Sequence, residues 1–181
     1  FVAAAMITIM SIIMCAISII QERGGFGIAA NSDLQPDQPP VNEPNTLWVM
    51  LSTALVMIMT PGLSLYYGGM VADEKVLNRM VRTFVNLGLI TFQWCWIGYS
   101  LSFAPSNPYF FNLVGDFSYV AMSGVGTSPG NTPINESYGV PHLSYVIFQL
   151  MFAATTTTIL SGAIANYMSF RSFCIFVLAW T

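Results

Sequence analysis

Charge is what this sequence lacks most. Of 181 residues, five are Lys or Arg and eight Asp or Glu, a charged fraction of 7%, where an ordinary soluble domain carries about 25%. That is too little to wet the surface of a water-soluble globule. Five basic residues in a chain of net charge −3 cannot make the dense cationic stripe that a phosphate backbone requires, which excludes nucleic acid as a partner. Cysteine is scarce too. Cys15, Cys95 and Cys174 sit inside apolar runs with no CxxC spacing, which argues against a disulfide framework or a zinc cluster and leaves lipid-facing or core filler. His142 is the single histidine: one cannot form a relay, a metal site wants more ligands, and beside Pro141 it reads as a solvated surface residue. The sequence has no nucleophile elbow, phosphate-binding glycine loop, HExxH or dinucleotide fingerprint, and no paired carboxylates inside an apolar run. Enzymatic chemistry, a metal and a cofactor therefore have no footing in these residues.

What the chain has in excess is apolar length. Hydrophobic residues make up 55% of it, with a mean hydropathy of +0.64. A helix needs about 20 mainly apolar residues to cross a hydrocarbon core about 30 Å thick. Residues 1–20, 47–69, 83–103 and 143–168 meet that length without a charge, and a fifth run over 172–181 covers half a membrane. The expected fold class is an all-α polytopic membrane bundle with about five transmembrane segments, the last incomplete. That end, and a first residue that is Phe and not Met, lead us to expect a portion of a longer chain. Residues 1–20 are a hydrophobic helix or a signal segment; the run exceeds the usual signal core of about 7 to 15 residues, which favours a retained helix. Residues 21–46, with Pro36, Pro39, Pro40 and Pro44 among acidic side chains, should form an extended linker.

Orientation follows from the few charges. Lys75, Arg79 and Arg82 fall in the connection 70–82, and Arg171 in the turn after 168, whereas 21–46 and 104–142 are acidic or nearly uncharged. Lys and Arg stay cytoplasmic during insertion. The linker and the 104–142 loop therefore face outward, in keeping with a glycosylation sequon at Asn135-Glu136-Ser137 that only an exterior loop can use.

Within the second span, Thr60-Pro61-Gly62 interrupts the apolar run, which ends Tyr66-Tyr67-Gly68-Gly69. Proline removes a helical hydrogen bond and kinks a helix, and a freed carbonyl in a membrane must find another partner. A packing kink with small residues for close helix contact is the ordinary explanation. In the fourth span Phe148 and Phe152 are four residues apart, so their rings lie one turn above the other on one helix face. Aromatic faces attract cations at about 0.5 to 2 kcal/mol per contact, although from spacing alone two core or lipid-facing phenylalanines are commoner. Gln149 could face a polar vestibule or bond a neighbouring helix. The hydroxyls of Thr155 to Thr158 are expected to bond their own i−4 carbonyls.

Taken in order, these motifs carry a resemblance. The series runs Leu51 to Thr60-Pro61-Gly62, Tyr67-Gly68-Gly69, Val76-Leu77-Asn78, Trp96-Ile97-Gly98-Tyr99-Ser100-Leu101-Ser102-Phe103, Phe148-Gln149-Leu150-Met151-Phe152-Ala153 and Ser161-Gly162-Ala163-Ile164-Ala165. Over about residues 47–181 it resembles the N-terminal portion of the ammonium transporter (Amt/Mep/Rh) family, the Amt branch more than the Rh branch. The resemblance implies an integral protein of the plasma membrane that carries ammonium or methylammonium. It implies a homotrimer of eleven-helix protomers, each with its own pore, and a cytosolic nitrogen-signalling regulator as a candidate partner. It also implies that Phe148 lines an external recruitment site and that Phe152 belongs to a gate beneath it, with Pro61, Gly62, Gly68, Gly69 and Asn78 as structural motif positions. The sequence departs from the family in placing Asn166-Tyr167 where an acidic and a basic residue usually follow.

The function read from this is uptake of NH4+ at an aromatic site and passage of NH3 through a hydrophobic pore. Two alternatives stand beside it: an ammonium sensor on the same fold, and a truncated, non-conducting accessory membrane protein. The expected topology is checked by single cysteines in the complete protein. One at Asn135 should react with an impermeant reagent added outside intact cells and one at Lys75 should not; reversed labelling would overturn the orientation.

Overall fold

The computed structural model describes residues 40–106, 114–129, 139–164 and 167–181. The 1–20 segment, most of the 21–46 linker and the Asn135 sequon lie outside them. Among the described residues the chain is helical with no strand: α1 (Glu43–Gly69), α2 (Asp73–Gln93), a π-helical turn (Trp94–Gly98), α3 (Tyr99–Phe103), α4 (His142–Ile164) and α5 (Phe170–Trp180), with one 3-10 turn at Val120–Met122. α1 and α4 are both long and apolar enough to cross a membrane, and they coincide with the expected spans 47–69 and 143–168. The expected span 83–103 corresponds to the second half of α2, the π turn and α3, and α5 corresponds to the fifth run.

α1 starts where its sequence provides a cap. The Asn45 amide donates to Asn42 Oδ1 at 3.2 Å and the Thr46 hydroxyl to the Asn42 carbonyl at 2.8 Å, satisfying groups that a helix start leaves open. Pro44 occupies the first turn, where its missing N–H costs nothing. Pro61 does not end the helix, which runs through it to Gly69. The interruption expected at 60–62 is therefore a local loss of one hydrogen bond in a continuous rod. Thr60, Ser64 and Gly68, four residues apart, are the buried positions of this helix, whereas Pro61, Gly62 and Gly69 are exposed.

α2 begins at Asp73, so the connection after α1 is only residues 70–72 and not the longer polar stretch 70–82 expected from charge. Arg79 and Arg82 are helical because their donors have acceptors nearby. Arg79 Nη1 donates to the Ser161 carbonyl at 3.3 Å, and Arg82 Nη1 donates to the Met168 carbonyl at 3.1 Å while lying 5.8 Å from the Phe170 ring centre. Carbonyls at the end of α4 and just beyond it thus meet two cations, the favourable sign at a helix C-terminus.

The chain forms two compact units whose boundaries fall within α1 and α4. The first comprises Thr53–Trp94 and Gln149–Thr181 of the described residues; the second comprises 40–52 and Cys95–Phe148. The first unit buries polar side chains among apolar ones and exposes large apolar ones. Ser64, Asn86, Thr157 and Thr158 are buried, while Ile58 is 63% and Leu65 65% exposed. Asn86 Nδ2 donates to Thr157 Oγ1 at 2.8 Å and Thr158 Oγ1 at 3.1 Å. Those hydroxyls in turn donate back to the Ala153 and Ala154 carbonyls, and Thr156 donates to the Phe152 carbonyl, the i−4 pattern expected of this run; Thr155 departs from it, its buried hydroxyl making no hydrogen bond. α5 packs on α2 through buried Phe173 and Val177, and Gln93 Nε2 donates to the Leu178 carbonyl at 3.0 Å. Cys95 is buried and Cys174 partly so, both free thiols.

Gly162 marks the closest approach. A Cβ built there falls against the Tyr67 ring, 2.5 Å from Cε1 and 2.7 Å from the hydroxyl that donates to the Ile159 carbonyl. Gly162→Ala should therefore displace Tyr67, break that bond and lower the melting temperature of the solubilised protein, equivalent to a loss of about 1 to 3 kcal/mol. Combining it with Tyr67→Ala should cost less than the sum of the two single changes. Strict additivity in thermal melts would refute the contact.

Candidate functional site

The candidate site is built on α4. His142 opens the helix, and Tyr145, Phe148 and Phe152 follow at spacings of three and four, which bring them onto one side of it. Exposure grades along that side: Tyr145 is buried, Phe148 half-buried and Phe152 45% exposed. Phe148 belongs to the second unit and Phe152 to the first. Gln149, next to Phe148, is half-buried.

The N-terminal end of α4 is held by the described part of the 104–142 loop. The backbone amides of His142 and Leu143 donate to the Ser128 and Gly126 carbonyls, each at 3.1 Å, so two of the donors that a helix start leaves open are satisfied by loop backbone. The loop is itself tied to α3. Gly115 N donates to the Leu101 carbonyl at 2.8 Å, Ser100 Oγ donates to the Asp116 carbonyl at 2.6 Å, and the Tyr119 amide donates back to Ser100 Oγ at 3.2 Å.

These ties assemble an aromatic cluster in the second unit. Tyr99 stacks on Phe103 with ring centres 5.2 Å apart, Phe103 meets Tyr145 edge-on at 5.5 Å, and Tyr119 meets His142 edge-on at 5.1 Å. Tyr99 Oη and His142 Nε2 are 2.6 Å apart. Offset and edge-on pairs at these distances are favourable arrangements of the ring quadrupoles. His142 is not the solvated surface residue its position suggested: it is 2% exposed, because a loop carbonyl, a tyrosine hydroxyl and two rings enclose it.

The other motif positions stand apart from this cluster. Pro61, Gly62 and Gly69 are exposed, with open space where the Cβ of either glycine would go; Gly68 is buried against Met80 and Val76; Asn78 is exposed on α2. Among the described residues no group of three His, Cys, Asp or Glu could hold a metal ion. Reading from sequence missed Tyr145 as the first ring of the α4 stripe, and missed Tyr99, Phe103 and Tyr119 in the cluster around it. The i, i+3, i+7 series 145, 148, 152 and the i, i+4 pair 99, 103 were the available signals. The Asn86 clasp was missed as well; its signal was a lone amide in an apolar helix.

With this geometry in hand, comparison with known proteins is direct. Residues 47–181 match the model of the Ammonium Transporter Family. An ammonium transporter of Bacillus subtilis is 37% identical over 136 residues, which are 75% of this chain and 32% of that protein. Ammonium transporter Amt1 of Archaeoglobus fulgidus is 31% identical over 140 residues, 77% of this chain and 32% of that protein. The crystal structure of Candida albicans Mep2 superimposes with a TM-score of 0.65 at 28% identity, covering 77% of this chain and 29% of Mep2. The chain thus spans about a third of the length of the relatives it matches.

The loop that encloses His142 offers a direct check of the cluster. A Cβ on Gly115 would lie 2.5 Å from the Ser100 carbonyl oxygen and 2.9 Å from that of Ala104, both backbone atoms that cannot swing away. Gly115→Val should lift the loop from α3, lower thermal stability by about 1 to 3 kcal/mol, and increase protease cleavage near Tyr119. An unchanged cleavage pattern would show that the loop does not depend on this contact.

Proposed function

Because this chain belongs to the ammonium transporter family, we propose that it takes part in moving ammonium across a membrane, α4 presenting the rings that recruit NH4+ from outside and admit NH3 to a hydrophobic pore. In this reading Phe148 lines the recruitment site, Phe152 forms part of the gate beneath it, and Gln149 borders the vestibule. The assembly is a homotrimer in the plasma membrane, open on its cytosolic side to a nitrogen-signalling regulator.

The single observation that carries this reading is the placement of Phe148 and Phe152 one turn apart on a helix of membrane-crossing length that bears no charge. A small cation gains about 0.5 to 2 kcal/mol from each aromatic face. Moving it bare into a low-dielectric medium would cost tens of kcal/mol, so it sheds its proton instead. Rings can therefore concentrate the ion at a mouth but cannot carry it through a dry constriction; that is the division of labour between an outer ring and an inner one. The hydroxyls of Thr156 to Thr158 on the same helix donate to carbonyls of their own helix, whereas the two rings carry no hydrogen-bonding group.

The test is Phe152→Ala in the full-length protein with methylammonium as the transported probe. Uptake rate and selectivity against other monovalent cations should change, by roughly two- to tenfold for the loss of one ring contact, with surface expression intact. Unchanged kinetics and selectivity would remove Phe152 from the mechanism.

A further inference from the structure

His142 has no part in the proposed chemistry, yet it is among the most enclosed polar side chains of the second unit. Its imidazole meets the Tyr99 hydroxyl at 2.6 Å, with Tyr99 itself 0% exposed. The Tyr99 and Tyr119 rings pack on it with centres 5.6 Å and 5.1 Å away. Its own backbone amide is bonded to Ser128 O, and the next amide to Gly126 O. The first turn of α4 is thereby held from two directions, by loop carbonyls on its backbone amides and by the His142–Tyr99 bond on its side chain. Phe148 lies six residues along the same helix and in the same unit. A helix transmits rotation as a rigid rod, so what fixes the first turn fixes the direction of the Phe148 ring.

We infer that His142, through its hydrogen bond to Tyr99, is the positioning residue that aims Phe148 at the incoming cation. The inference rests on the recruitment role given to Phe148 above. A cation–π contact depends on the ion lying over the ring face, so a helix free to turn at its start would present the ring well only part of the time. The consequence is specific: recruitment weakens, while passage of an ion already captured does not. A buried pair is also intolerant of losing one member, since the hydroxyl left behind has no water to turn to.

The experiment compares methylammonium uptake by the full-length protein carrying His142→Leu, Tyr99→Phe, both together, His142→Gln and Phe148→Ala. His142→Leu and Tyr99→Phe should each raise KM about two- to tenfold, the factor associated with one net hydrogen bond, with maximal rate per surface molecule essentially unchanged. The double variant should be no worse than the more severe single, because both remove one bond. His142→Gln, whose amide can reach the tyrosine hydroxyl, should restore KM. If His142→Leu fails to reach the membrane, Tyr99→Phe reads the same pair while deleting a single oxygen. The inference is overturned if KM is unmoved by Tyr99→Phe, if the two changes are additive, or if maximal rate falls with KM constant. Phe148→Ala separates the two levels: should it raise KM while the pair variants do not, only the positioning role fails. Should it leave KM unmoved, the recruitment role of Phe148 fails and the inference with it.

Discussion

The constraint on which this structure depends is that a helix in hydrocarbon has no water to satisfy its polar groups. Association of such helices gains little from burying apolar surface, because lipid is as apolar as leucine; packing of small residues and interhelical hydrogen bonds carry it instead. The first unit obeys this inversion. Its interior holds Thr60, Ser64, Thr83, Asn86, Thr157, Thr158 and Ser161 beside apolar residues such as Ile90, Phe173 and Val177, whereas its exposed residues include Leu55, Ile58 and Leu65. The Asn86 amide bonds two threonine hydroxyls of α4, the Tyr67 hydroxyl bonds an α4 carbonyl beside Gly162, and Arg79 bonds another. Each is a polar group whose alternative in that environment is no partner at all.

The same constraint explains why the α4 stripe is chemically legible. Where polar groups are consumed by structure, the groups left to meet a solute are the rings and the ends of helices. Phe148 and Phe152 offer quadrupoles and no hydrogen bonds, which under the proposed function suits a cation that is attracted before it loses a proton. Around the N-terminal end of α4 the rings are themselves organised by polar contacts: Ser100 binds the loop through the Asp116 carbonyl and the Tyr119 amide, and Tyr99 binds His142. Polar bonds there orient aromatic surfaces, as they hold helices together in the first unit.

The helices were legible because length and hydropathy are properties of the chain itself. Expected spans 47–69 and 143–168 match α1 and α4 to within a few residues at most ends. The errors have a common form. The polar stretch 70–82 was assigned to a connection because it carries charge, yet Arg79 and Arg82 sit in α2, since carbonyls elsewhere in the fold receive their protons. Pro61 suggested an interruption, yet α1 continues through it. His142 suggested a solvated position, yet three other segments enclose it. For the arginines and His142, the reading treated as local a preference that a distant partner had reversed.

The sequence by itself determined the helical class, the membrane setting, the family and the one-turn spacing of Phe148 and Phe152, because composition and the helical period need no knowledge of neighbours. Only the tertiary structure decided that Asn86 clasps Thr157 and Thr158, that Tyr67 fills the space Gly162 leaves, and that Tyr99 meets His142. Those pairs are separated by 71, 72, 95 and 43 positions along the chain, and a short-range interaction between such residues exists only once the fold has brought them within a few ångströms of each other.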